Sequence, residues 1–130
     1  GSPLQYIGFD GKGHQVRDIL HIDDLYALLR RQLQDDVLGA AGPFNVGGGV
    51  EGSVSLRELT EICRQATGKA LDIGERPDTH PADIPYYVTD TSKVETATGW
   101  APTKRPGDVV ADIHRWIADN RAMLEPVLKR

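Results

Sequence analysis

The sequence lacks the features that mark secreted, membrane-spanning and nucleic-acid-binding proteins. Cys63 is the single cysteine, so no internal disulfide can form, and its place on an apolar helix face predicts a buried thiol. No apolar run approaches the roughly 18 residues of a membrane span, and the pattern predicts no signal peptide. The 15 basic and 19 acidic residues are interleaved and give a net charge of −4, which argues against nucleic acid or an anionic membrane as a partner. We therefore expect a cytoplasmic protein.

What is present suits one globular domain over residues 1–130. At 130 residues and 39% hydrophobic, the chain is large enough to bury a core, and it contains no internal repeat. Short apolar runs alternate with amphipathic segments, which predicts an α/β fold with about four helices and several short strands. That pattern is too short for a complete doubly wound sheet.

Strands are predicted at residues 4–9, 16–22, 43–46, 70–73 and 86–88. An Asp-Gly turn separates the first two, which favours a hairpin or another nearby pairing. Helices are predicted to begin at Asp23 or Asp24, at Ser55 with Glu58 completing a capping box, at Thr91 or Ser92, and near Pro106. Gly68 and Gly99 are the expected ends of the second and third, the fourth is expected to reach about Asn120, and Pro126 would interrupt any continuation. The predicted buried faces are Leu25, Leu28, Leu29, Leu33 and Val37; then Leu56, Leu59, Ile62, Cys63 and Ala66; then Val109, Ile113, Trp116 and Ile117.

A glycine-rich segment, residues 47–52, satisfies the G-x-G-x-x-G pattern of dinucleotide-binding loops through Gly47, Gly49 and Gly52. Asp72 even follows at the distance expected of a ribose-binding acid. However, the preceding strand is short, and the helix begins only at Ser55, too far from a pyrophosphate held by the glycines. We favour a tight turn between packed neighbours over a dinucleotide site.

Five short motifs occur in an order that resembles a known family. They are Gly11-x-x-x-Gln15-Val16-Arg17-Asp18, His21-Ile22-Asp23-Asp24-Leu25, Phe44-Asn45-Val46-Gly47, residues 83–93, and Gly99-Trp100-x-Pro102. Together they resemble the carboxyl-terminal, substrate-binding part of extended short-chain dehydrogenases that act on nucleotide sugars. Tyr6-Ile7-Gly8-Phe9, the glycines and residues 53–56 look most similar to the CDP-paratose 2-epimerase branch.

The resemblance implies an enzyme that uses NAD to epimerise or dehydrate a nucleoside diphosphate sugar. In that family the cofactor loop and the catalytic Tyr-x-x-x-Lys pair belong to an amino-terminal half, which this sequence lacks. None of the four tyrosines is followed by lysine at the fourth position. We therefore expect no catalytic residue and no NAD site here, and an inactive isolated chain.

The resemblance also assigns substrate-binding residues. Arg17 would bind the diphosphate through a bidentate guanidinium contact, the alternative being an ion pair with a nearby acid such as Asp18. The backbone at Gln5 and Ile7 would lie along the base, unless these residues form only a sheet strand.

A polar loop would complete the expected site. His80 stands where many family members carry a second diphosphate-binding arginine, so either His80 binds weakly, or Arg76 reaches in from the same loop. His80 is otherwise a solvated loop residue. Asp83 would bind the ribose or order the loop.

Other conspicuous residues have simpler interpretations. We expect a structural role for His21, a salt bridge from Lys93 to Asp90 or Glu95, and core positions for Trp100 and Trp116; no metal-ligand spacing occurs. Removing the nucleotide-binding half would expose Leu25, Leu28 and Leu29, which predicts self-association of the chain. Two alternatives remain open: a non-enzymatic module that binds a phosphorylated metabolite, and a self-contained dinucleotide-binding domain using residues 47–52.

Overall fold

The computed structural model describes residues 3–34 and 42–128, which form five short strands and five helices. The strands are β1 (Gln5–Ile7), β2 (Val16–Asp18), β3 (Ser53–Ser55), β4 (Gly74–Arg76) and β5 (Tyr86–Tyr87). The helices are α1 (Ile22–Gln34), α2 (Leu56–Thr67), α3 (Ser92–Thr98), α4 (Pro106–Asp119) and α5 (Arg121–Leu128). The α/β class is confirmed, with one helix more than expected. None of the described helices is both long and apolar enough to cross a bilayer.

The strands are divided between two small sheets. β1 and β4 pair in parallel, whereas β2 lies between antiparallel β3 and parallel β5. No larger sheet is formed by the described residues. The described residues therefore form no complete dinucleotide-binding sheet, which agrees with the predicted partial fold.

The expected pairing of β1 with β2 is wrong, because the chain after β1 turns toward β4. Gly8, Phe9, Asp10 and Gly11 all have positive φ angles, and the N–H of Gly8 donates to the carbonyl of Arg76 at 2.8 Å. A left-handed conformation costs a non-glycine residue roughly 1–2 kcal/mol. The turn therefore holds Phe9 and Asp10, with φ angles of 47° and 63°, in unfavourable conformations.

Three predicted strands are displaced or absent. The strand expected over 16–22 ends at Asp18, because its partner β3 begins at Ser53 after a 3-10 turn over Val50–Gly52, and the bond from the N–H of Ile19 to the carbonyl of Gly52 is the last one of the pairing. The strand expected at 70–73 lies instead at Gly74–Arg76. Residues 43–46 are not a strand; Phe44 and Val46 pack against the core.

The helix termini with local signals are confirmed. Ser55 and Glu58 form the predicted capping box, and Gly68 and Gly99 end α2 and α3 in the left-handed conformation. The assignment of Asp23 or Asp24 as a cap is wrong, since α1 already begins at Ile22 and the N–H of Asp23 donates to Nδ1 of His21. The predicted structural role of His21, which is buried, agrees with this contact.

The carboxyl-terminal helices break at Asn120. Its N–H bonds the Trp116 carbonyl, and a new helix, α5, starts at the next residue. Pro126 lies inside α5, so the expectation that it would interrupt a continuing helix is wrong. Because proline has no N–H, α5 makes one hydrogen bond fewer there.

The core is small and lies where α1 meets α3 and the short segment that follows α3. Leu28, Val94 and Trp100 form one buried cluster, with Leu20, Phe44 and Val46 packed around it. Trp100 is therefore the predicted core residue, whereas Trp116 is 53% exposed and its assignment is wrong.

The predicted buried faces are only partly buried: Leu28 on α1 and Val109 on α4 are buried as expected, but many of their neighbours are not. Leu29, Leu33, Ile113 and Ile117 are exposed, Leu25 is half-buried, and no residue of α2 is buried. The thiol of Cys63 is exposed, contrary to expectation. Amphipathic faces are buried only as far as a second layer covers them, and the packing of α2 against α4 leaves Leu59, Ile62 and Ala66 half-buried. Val37, also predicted on the α1 face, lies outside the described residues.

Asp24 joins α1 to the segment after α3. Its side chain is buried and accepts hydrogen bonds from the N–H groups of Thr103 and Lys104 and from the Thr103 hydroxyl. Its backbone carbonyl accepts from Nε1 of Trp100 at 2.8 Å. Burial raises the pKa of this carboxyl, but the N–H of Lys104 and the two Thr103 donors outweigh burial and hold the pKa below its ordinary value of 3.8.

We expect Asp24→Asn to lower the free energy of unfolding by about 2–4 kcal/mol near neutral pH. The amide has one oxygen in place of two, so an NH2 donor would face the Thr103 hydroxyl that now donates to Oδ1, and the charge that strengthens all three hydrogen bonds would be lost. Because the folded pKa is depressed, the contribution of the carboxylate is complete above the unfolded pKa of about 4 and is lost as pH falls through the folded pKa. Urea titrations from pH 7 downward should therefore show the difference between wild type and variant shrinking below about pH 4. The exposed Asp23→Asn is the control, and a pH-independent difference would contradict this account.

Candidate functional site

Arg17 on β2 is held by three acceptors. Its Nη2 donates to Oδ1 of Asp83 at 3.0 Å and to the carbonyl of Ile84 at 2.8 Å, and its Nη1 donates to the carbonyl of Val16 at 2.7 Å. The ion pair is with Asp83 and not with Asp18, which instead accepts from the N–H of Gly49. Both two-donor edges of a guanidinium include Nη2, so a phosphate can take a bidentate contact only by displacing Asp83 or the carbonyl.

The end of β1 meets the loop that carries Asp83. The N–H of Phe9 donates to Oγ1 of Thr79 at 2.8 Å, and a Cβ on Gly8 would lie 3.7 Å from Oδ2 of Asp83. Gly8 has φ of +80°, a conformation that glycine adopts readily. The predicted residues Ile7, Arg17 and Asp83 are thus brought together by segments far apart in sequence.

The other predicted residues lie around this centre. His80 is exposed; its Nδ1 accepts from the N–H of Ala82, and its carbonyl accepts from the N–H of Asp83 at 2.9 Å. The Arg76 side chain is 3.9 Å from Asp78, and Gln5 lies over Gly74. In the described part of the chain, no hydrogen bond joins the side chain of His80, Arg76 or Gln5 to Arg17.

Sequence reasoning missed two contributors to the site. Gln15 is buried and donates from Nε2 to the carbonyl of Ile7 at 2.6 Å. Thr79 receives the Phe9 N–H from within the polar loop. Gln15 lies in the same sequence motif as Arg17, so the motif could have identified it. No sequence motif points to Thr79.

The glycine-rich segment does not form a phosphate cradle. A Cβ on Gly48 would collide with the carbonyl oxygen of Ile19, and one on Gly47 would collide with Asp18 and Thr89. β3 separates the glycines from the start of α2 and pairs with β2. The glycines therefore let two backbone segments approach closely, as the tight-turn interpretation predicts.

A second charged cluster surrounds Asp112 of α4. Lys104 Nζ is 2.9 Å from Oδ2 of Asp112, and this hydrogen bond lowers the pKa of Asp112 and raises that of Lys104. Nε2 of His21 is 3.6 Å from the same carboxylate. Lys93, predicted to pair with an acid, instead donates to the carbonyl of Pro43 and lies over the Phe44 ring. The described residues contain no group of three metal-binding side chains.

Comparison with known proteins finds no matching family model, but several relatives. A dTDP-glucose 4,6-dehydratase from Streptomyces niveus is 30% identical over 125 residues, covering 95% of this chain and 35% of the relative. A UDP-glucose 4-epimerase from Halalkalibacterium halodurans is 33% identical over 109 residues, covering 80% of this chain and 30% of the relative. A CDP-paratose 2-epimerase from Salmonella typhi is 29% identical over 106 residues, covering 82% and 31% respectively.

Solved structures share the fold. The UDP-glucose 4-epimerase of Stenotrophomonas maltophila, described with bound NAD and formylated UDP-arabinopyranose, superimposes with a TM-score of 0.74 at 25% identity. The match covers 92% of this chain and 36% of that one. This architecture is that of a partial domain of a nucleotide-sugar epimerase or dehydratase.

Over most of its length the chain is similar to nucleotide-sugar epimerases and dehydratases of the extended short-chain dehydrogenase family. It spans about one third of the length of the relatives it matches, consistent with a carboxyl-terminal part.

We expect Gly48→Ala to lower the free energy of unfolding by more than about 2 kcal/mol, because the methyl group would push β2 away from the glycine segment. Gly107→Ala on α4 is the matched control, since a Cβ there meets nothing within 4 Å. Chemical denaturation of both variants measures the effect. Equal stabilities would show that the glycines are not closely packed.

Proposed function

We propose that the chain is the substrate-binding part of an NAD-dependent nucleotide-sugar epimerase or dehydratase, one unit over residues 1–130 that holds the diphosphate and base of a nucleoside diphosphate sugar. The observation that carries the proposal is the convergence of Arg17, Asp83 and the end of β1. The relatives named for dTDP-glucose, UDP-glucose and CDP-paratose chemistry support the substrate class.

In this proposal the free and bound sites exchange partners at Arg17. The diphosphate displaces Asp83 from Nη2, because phosphate oxygens suit the guanidinium fork and carry more charge than one carboxylate. Once released, the Asp83 carboxylate accepts a hydrogen bond from a ribose hydroxyl. An exposed ion pair is worth about 0–1 kcal/mol, so breaking it takes little from the binding energy.

The remaining site residues have secondary roles. Backbone groups at Gln5 and Ile7 lie along the base, where an edge strand offers both donors and acceptors. His80 shapes the loop through its two hydrogen bonds, and its imidazole or the guanidinium of Arg76 faces the second phosphate.

The packing of the glycine-rich segment argues against an NAD site there. The glycines are packed against Ile19, Asp18 and Thr89, which leaves no space for a pyrophosphate. We therefore assign the cofactor and the catalytic pair to an amino-terminal half, and propose that the chain alone is inactive. The sugar nucleotide we propose is CDP-paratose or CDP-tyvelose, on the strength of residues 6–9 and 53–56.

We expect isothermal titration to detect binding of CDP or UDP but not NAD. Arg17→Ala should weaken nucleotide binding by about 10- to 100-fold, the value of one or two charge-assisted hydrogen bonds. Arg30→Ala is the control, because Arg30 is exposed on α1 and its guanidinium lies near the Tyr26 ring instead.

Two outcomes would contradict the proposal. Binding of NAD that survives Arg17→Ala would favour a dinucleotide site elsewhere. Equal affinity for UDP, CDP and inorganic pyrophosphate would mean that no base is recognised, which favours a phosphometabolite-binding module.

We also propose that the isolated chain associates with itself through α1. Ile22, Tyr26, Leu29 and Leu33 are exposed at helical spacing along one stripe, while Leu28, predicted to be exposed, is 1% accessible and belongs to the core. Exposed apolar patches larger than about 400 Å² favour association.

Light scattering should show an average mass above that of the monomer at high concentration. Leu29→Lys should reduce it, whereas Leu71→Lys, on another exposed leucine, should not. A monomer at every concentration would contradict the proposal.

A further inference from the structure

Gln15 links the two strands that carry the proposed site. The side-chain Nε2 of Gln15 donates to the carbonyl of Ile7, the last residue of β1. The backbone carbonyl of Gln15 accepts from the N–H of Leu56. The following residue, Val16, begins β2. Although β1 and β2 belong to different sheets, this side chain connects the end of β1 to the residue that precedes β2.

Among the described residues, no hydrogen bond joins β1 to β2 itself, and the Gln15 amide joins the end of β1 to the residue just before β2. Each strand is otherwise bonded to partners of its own sheet, β1 to β4, and β2 to β3 and β5. No ladder sets the relative placement of the two strands; the Gln15 amide is the short link between them, and the hydrogen bond from the Tyr6 hydroxyl to Oγ1 of Thr60 on α2 is a longer one.

The side-chain amide of Gln15 carries an energetic cost. Gln15 is 6% exposed, and its Oε1 is buried without a hydrogen-bond partner among the described residues. A buried unpaired acceptor is unfavourable, and an apolar side chain of the same length would fill the space without one. What only the amide supplies is the N–H that reaches Ile7.

Gln15 lies between the two segments that are proposed to bind opposite ends of one ligand. Arg17 is two residues further along the chain, and Ile7 lies on the strand proposed to follow the base. A nucleoside diphosphate would touch both strands at once, whereas inorganic pyrophosphate would touch only Arg17. A small shift of β1 relative to β2 would therefore weaken the binding of the nucleoside diphosphate and leave the binding of pyrophosphate unchanged.

We propose that Gln15 is a positioning residue that sets the spacing between the base-binding strand and the phosphate-binding Arg17. The inference rests on the proposed function. It adds a residue that contacts no ligand atom and acts through the Ile7 carbonyl.

The test compares Gln15→Met with wild type in titrations with UDP, CDP and inorganic pyrophosphate. Methionine has similar length and no N–H, so the affinity for the nucleotide that wild type binds should fall about five- to tenfold. The affinity for pyrophosphate should stay within about twofold, because Arg17 keeps its own contacts.

The outcomes separate this inference from the proposed function. Equal losses for nucleotide and pyrophosphate would indicate a general structural role, and unchanged nucleotide binding would show that Gln15 positions nothing; either overturns the inference alone. Nucleotide binding that is absent from wild type overturns the proposed function and this inference together.

A measurement on wild type guards against a variant that fails to fold. The side-chain amide resonance of Gln15 should shift when the bound nucleotide is added and stay in place when pyrophosphate is added. A resonance that responds to neither ligand, or equally to both, would overturn the inference.

Discussion

The buried carboxylate of Asp24 is the contact on which the described structure most depends. Its three donors come from Thr103 and Lys104, nearly eighty residues away, and its backbone carbonyl receives the indole N–H of Trp100. One residue thus fixes α1 against the segment after α3 and places Trp100 on the core cluster. Because α1 starts a few residues after β2, the same contact also limits where β2 and Arg17 can lie.

The candidate site is organised differently from the core. The core is a small apolar cluster, whereas the site is assembled by single hydrogen bonds between the end of β1, the start of β2 and the loop that carries Asp83. Such contacts hold a half-exposed surface in shape without burying it. Residues there can exchange partners at little energetic cost, which suits a surface that must accept a polyanion.

Local features of the fold were predictable, and long-range ones were not. The capping box at Ser55 and the glycine ends of α2 and α3 follow from chemistry within a few residues, and all were confirmed. The family motifs nominated Arg17 and Asp83 separately, but no pattern in the sequence joins the two. Similarly, no residue near Asp24 in the sequence predicts its contact with Thr103. The exposure of Trp116 and Cys63 shows that an apolar stripe predicts burial only if another layer covers it.

The partner exchange proposed at Arg17 affects how ionic strength acts on the site. Salt screens the attraction between a guanidinium and an incoming phosphate, which weakens binding. It equally screens the exposed pair of Arg17 with Asp83, which must break first. The two effects oppose each other, so the carboxylate that occupies the free arginine would also buffer its affinity against changes in the surrounding electrolyte.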